Sequence, residues 1–124
     1  MIVGIGCDVL HIDRVEKLLK YRNFLNKYFT LSERELFNKE MYNQKNYLKK
    51  IASNLCVKEA FFKAISIEIN NFRFIDVEVM RDSNGKPYIN LYNNLEKFNN
   101  YKVHVTISNE INIVTSFIVV EKVN

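Results

Sequence analysis

The chain has 124 residues, of which 48% are hydrophobic and 26% charged, with a formal net charge of +4 and a pI near 9.0. That length fits one domain, and the balance excludes a disordered chain; the basic excess suits an acidic partner, whether nucleic acid, an anionic protein or a phosphorylated small molecule. No apolar run reaches the roughly 18 residues of a membrane span, and Cys7 and Cys56 lie in no CxxC or Cys/His pattern that structural zinc would need.

Residues 1–10, MIVGIGCDVL, predict a buried strand that opens without a signal-like basic region. Both cysteines are expected to be buried free thiols in a reducing cytoplasm. Gly4 and Gly6 allow another backbone to come close. Asp8 is the exception in this apolar run. A carboxylate there needs a partner, a turn to cap or a metal. Ile12, Val15, Leu18 and Leu19 form the apolar stripe of a helix over 12–21, with Asp13 as its N-cap and Arg14, Lys17, Lys20 and Arg22 on or just past its outer side. Residues 23–29 predict a short aromatic helix or turn. Ser32 and Glu35 have the spacing of a capping box for a helix to about residue 40.

A helix then runs over 44–67 with no Gly or Pro inside it. Its segment NLCVKEAFFKAI is apolar enough to be buried, yet it carries Lys58, Glu59 and Lys63. Glu59 and Lys63 stand one turn apart on the same side, and Ala60 and Ala64 make a low strip beside them. Beyond Asn71 the period changes to a strand over 72–79, with Glu78 and Arg81 facing out. Asn84-Gly85 predicts a hairpin turn, and Pro87 opens the return strand over 88–92. Two further strands, over 102–108 and 111–121, close the chain. The fold class is therefore α+β, a mostly antiparallel sheet packed against a long central helix, in a single domain over 1–124.

Two carboxylates from separate elements, Asp8 and Glu59, can hold a Mg²⁺ that takes its remaining ligands from water and phosphate oxygens. Lys63, one turn from Glu59, can neutralise phosphate charge, and the Gly85-Lys86 turn can present N–H groups and an ammonium to an anion. This is the equipment of phosphoryl-type transfer.

The same residues lie in ordered blocks over nearly the whole chain. The chain opens Gly4-Ile5-Gly6-Cys7-Asp8 with Arg14 following, then has Phe29-Thr30-Leu31-Ser32-Glu33. Next come Val57-Lys58-Glu59-Ala60-Phe61-Phe62-Lys63-Ala64, Phe74-Ile75-Asp76-Val77-Glu78-Val79 and Asp82-Ser83-Asn84-Gly85-Lys86-Pro87. The last block is His104-Val105-Thr106-Ile107-Ser108-Asn109. In order and spacing these resemble the holo-[acyl-carrier-protein] synthases, the small bacterial 4′-phosphopantetheinyl transferases.

The resemblance implies transfer of 4′-phosphopantetheine from coenzyme A to a serine of apo acyl carrier protein, in support of fatty acid biosynthesis. It implies Asp8 and Glu59 as magnesium ligands and Lys63 at the coenzyme A pyrophosphate. Gly85, Lys86, Pro87, Ser108 and Asn109 would line the coenzyme A site, and Arg14, Lys17, Lys20 and Arg22 would dock the acidic carrier protein. It also implies a homotrimer with active sites between subunits. Three positions depart from the usual pattern: Asn54 replaces a frequent Arg, Ser66 a Gly and Asn109 a His. The first and third changes remove expected phosphate contacts, so a non-catalytic coenzyme A or carrier-protein binder is one alternative. A small basic nucleic-acid-binding domain is the other, against which stands the absence of any clustered basic motif. His104 reads as a strand histidine satisfied by a neighbour.

Overall fold

A computed structural model describes residues 1–65 and 71–123. The expected helix end near residue 67 and the departure at Ser66 lie outside the described residues. The elements in order are β1 (Ile2–His11), α1 (Ile12–Leu18), α2 (Phe24–Tyr28), α3 (Leu31–Asn38), α4 (Gln44–Ile65), β2 (Val77–Arg81), β3 (Pro87–Leu91), β4 (Tyr101–Asn109) and β5 (Ile113–Lys122). Short 3-10 helices cover Phe74–Asp76 and Asn93–Asn100. All described strand pairs are antiparallel, as expected, but they form two sheets: β1-β5-β4, and the hairpin β2-β3.

The long helix α4 organises both sheets. Its fully buried Val57, Ala60 and Phe61 pack with Val77 and Val79 of β2 and with Ile118 and Val120 of β5. Its N-terminal half, through Ile51, Ala52 and Leu55, packs with Val15, Phe24 and Phe37 of the preceding helices and with Phe29 just after α2. Each such side chain removed from water contributes roughly 1.5–3 kcal/mol. Gly4 and Gly6 let β1 lie directly on α4. A Cβ on either glycine would overlap the backbone carbonyl of Ala64 or Ala60. This close approach seats Asp8 against the helix.

Several local expectations change. β1 is buried on one face only, because α4 covers one side of the sheet and strand side chains alternate. Ile5 and Val9 are consequently exposed, and so is Cys7, while Cys56 is buried. The cap position of α1 is His11, without a side-chain cap bond, and Asp13 sits within the first turn, where its charge suits the helix dipole. The capping box is Thr30 with Glu33, two residues earlier than Ser32 with Glu35. Thr30 wins because the chain is extended there and because Glu33 is needed inside the protein, as described below. The strand expected from residue 72 begins only at Val77. The Phe72 and Phe74 rings instead meet edge to face at 5.1 Å, and lie 4.8 and 6.4 Å from the Phe62 ring. Glu78 faces inward and is buried.

Candidate active site

Asp8 of β1 and Glu59 of α4 meet at the seam the glycines create. Lys63 Nζ donates to Asp8 Oδ1 at 2.9 Å and to the Cys7 carbonyl at 3.1 Å. Arg14 Nη2 donates to Glu59 Oε1 at 3.1 Å. Burial pushes the Glu59 carboxyl up, its hydrogen bond and charge contact with Asp8 push it further, and it reaches about 7 despite the opposing pull of Arg14. Burial also pulls Asp8 upward. Its hydrogen bond with Glu59 and the Lys63 ammonium outweigh that, leaving it below the ordinary carboxylate range. Beneath the pair, Cys56 Sγ lies 3.4 Å from the Asp8 carbonyl, and burial pushes this thiol up to about 12. A thiol held protonated in this way does not act as a nucleophile.

Two carboxylates held this close form a natural cation site. Asp8 Oδ2 is buried and, the Glu59 carboxyl apart, meets no donor among the described residues. Among the described residues no third His, Cys, Asp or Glu joins the pair as a metal-holding group. Two oxygen donors with no soft ligand fit Mg²⁺, which keeps waters and takes phosphate oxygens, and do not fit a cage for zinc.

Asp8, Glu59, Lys63 and Arg14 are thus brought together. Lys17, Lys20 and Arg22 are exposed on α1 and the turn after it. Gly85 and Lys86 form the β2–β3 turn with Pro87 opening β3; Asp82 Oδ1 accepts from the Lys86 backbone N–H at 2.9 Å. Among the described residues no hydrogen bond joins this turn to Asp8 or Glu59. Ser108 and Asn109 end β4, exposed. Sheet register pairs Asp8 with Ser116 and Ser116 with Ile107, so the pleat turns Ser108 to the face opposite Asp8. His104 Nε2 is 3.1 Å from Glu121 Oε1, the neighbour expected for it.

A second polar assembly lies behind the helix. Lys58 and Glu33 are fully buried and bonded at 2.8 Å. Glu33 also accepts from the Thr30 backbone N–H at 3.1 Å, from Asn54 Nδ2 at 3.0 Å and from the Val79 N–H at 3.3 Å. Burial pulls Glu33 upward and Lys58 downward. All four partners of Glu33 donate, so the cage holds the carboxylate form. Lys58 further donates to the Phe74 and Val77 carbonyls. Asn54, at a position expected to face phosphate, is buried and gives its amide to Glu33 and to the Val79 carbonyl at 3.1 Å. The signal for this assembly is the Thr30-x-x-Glu33 spacing together with a lysine inside an apolar helix.

Comparison with known proteins agrees with this architecture. Residues 4–116 match the 4′-phosphopantetheinyl transferase superfamily. The chain is 36% identical, over 98% of its own length and 97% of the relative's, to a holo-[acyl-carrier-protein] synthase of Lachnoclostridium phytofermentans. It superposes with TM-score 0.84 and 29% identity, covering 99% of each chain, on the Bacillus anthracis synthase solved with CoA (3′,5′-ADP). For the Neisseria meningitidis synthase the TM-score is 0.85 at 28% identity, covering 98% of this chain and 100% of that one. The chain belongs to the 4′-phosphopantetheinyl transferase superfamily, among the holo-[acyl-carrier-protein] synthases.

Proposed function

We propose that this protein transfers 4′-phosphopantetheine from coenzyme A to a serine of apo acyl carrier protein, dependent on Mg²⁺. The observation that carries the reading is the Asp8–Glu59 pair, flanked by Lys63, with Asp8 Oδ2 buried and bonded to no cation among the described residues. The serine oxygen attacks the phosphorus that bears the pantetheine arm. The bond from that phosphorus to the bridging oxygen breaks, the hydroxyl proton is released, and adenosine 3′,5′-bisphosphate departs. Asp8 and Glu59 hold the Mg²⁺, which when bound offsets charge on the pyrophosphate. Lys63 is exposed beside Asp8, where its ammonium meets a phosphate oxygen. Arg14, Lys17, Lys20 and Arg22 present a basic face to the acidic carrier protein.

The active unit is a trimer. The outer face of β1-β5-β4 exposes Ile5, Val9 and Phe117 at 60%, 62% and 44%, an apolar surface that a second copy covers. Gly85, Lys86 and Pro87, with Ser108 and Asn109, then reach the nucleotide of a neighbouring subunit. The direct test is to incubate the protein with apo acyl carrier protein, coenzyme A and Mg²⁺ and follow intact mass. Gain of one phosphopantetheine arm is expected; an unchanged mass with folded protein refutes transfer.

A further inference from the structure

The basic face of α1 has a second use written into its charge balance. Among the described residues four charged side chains meet at the site: Asp8 and Glu59 against Arg14 and Lys63. With both carboxyls ionised, as cation binding requires, the two carboxylates and two cations cancel. A divalent cation entering this set leaves it net positive unless a side-chain cation withdraws or an anion arrives. Of the two, Arg14 is the one placed to withdraw. Lys63 donates both to Asp8 and to the Cys7 carbonyl, and Arg14 makes a single hydrogen bond among the described residues, to Glu59. The Arg14 side chain is 54% exposed and Glu59 only 18%, so the guanidinium stands at the mouth. Arg14 and Glu59 both line a cavity of about 80 Å³, with Leu18, Phe24, Tyr28 and Phe74 among its walls, so the Arg14 stem has room to move beside the carboxylate. Lys17 and Leu18 follow Arg14 by three and four residues on α1 and so share its side of the helix.

We propose that Arg14 is a displaceable counter-ion, a positioning residue that acts through Glu59. In the free protein it occupies the carboxylate. An acidic helix of the carrier protein, docking on Lys17 and its neighbours, draws the guanidinium away and leaves Glu59 open to the divalent cation. Carrier docking and metal binding then strengthen each other, and by linkage each does so to the same degree. This rests on the reading of Asp8 and Glu59 as a cation site.

The test is calorimetric titration of Mn²⁺ into the wild-type protein, Arg14→Gln and Lys17→Gln, each with and without saturating apo acyl carrier protein. Without carrier, Arg14→Gln should bind Mn²⁺ roughly two- to five-fold tighter than wild type, the worth of a half-exposed ion pair. Lys17→Gln should match wild type. Carrier should tighten Mn²⁺ binding to wild type and leave Arg14→Gln unchanged. Equal affinity in wild type and Arg14→Gln, an equal gain in Lys17→Gln, or a carrier effect that persists in Arg14→Gln overturns the coupling alone. No Mn²⁺ binding by any of the three overturns the cation site itself and the coupling with it. Arg14 is half exposed and Gln is a comparable helix former, so matching thermal melts are expected.

Discussion

At position 59 a carboxylate sits between a neighbour of its own sign and a guanidinium of the opposite one. Glu59→Gln keeps the shape and the acceptor for Arg14 but loses the charge. Turnover should fall roughly a thousand-fold or more, the several kcal/mol that a bound divalent cation supplies to charge stabilisation. The melting temperature should stay close to wild type, because the like-charge contact with Asp8 is relieved. Single-turnover transfer and thermal denaturation check the two parts. Glu78 makes the opposite case. Burial alone would raise its carboxyl, but the Thr30 hydroxyl, Asn90, Tyr92 and Lys58 together hold it below its ordinary value of 4.5. A carboxylate held low stabilises the fold above the unfolded value, and that contribution is lost as pH falls through the lower native one. Stability measured by urea should therefore decline below about pH 4.5, as unfolded carboxyls take up protons first. Glu78→Gln should be less stable at pH 7 and show a shallower acid decline; identical pH profiles would show that Glu78 takes no part.

At the scale of elements, the fit of β1 to α4 decides whether the site exists. Gly6→Ala places a methyl against the Ala60 carbonyl, which can yield only if strand and helix part. We expect a loss of about 1–3 kcal/mol in urea denaturation and a larger proportional loss of Mn²⁺ affinity, since Asp8 rides on the strand. A stability loss with metal affinity intact would show that the seam does not position the site. This seam is legible in sequence: small residues at 4, 6, 60 and 64 announce close backbones, and a carboxylate beside them announces a partner. The assembly behind α4 is much less so. Glu78 alternates with Val77 and Val79 and so reads as solvent-facing; its burial comes from Thr30, Asn90 and Tyr92, which belong to other elements. Two capping boxes fit the same stretch; the extended backbone at Thr30 and the need of Lys58 and Asn54 for Glu33 select the earlier. Periodicity reports the side of an element that is covered, not the distant group that covers it.

For the whole molecule, the proposed assembly of copies would cover the exposed apolar face of the three-stranded sheet. Phe117 is on the uncovered face, so Phe117→Asp should leave the subunit folded. Sedimentation should show wild type as a trimer and Phe117→Asp as a monomer with little transfer activity. A monomeric, fully active wild type would instead place the complete site within one chain. The most direct measurement is a crystal structure grown with coenzyme A and Mn²⁺, read by anomalous scattering. The account predicts a single peak between the carboxylates of Asp8 and Glu59, next to the pyrophosphate, with Arg14 released from Glu59 in crystals that also contain the carrier protein. A peak elsewhere, with both carboxylates still bonded only to Lys63 and Arg14, would contradict it.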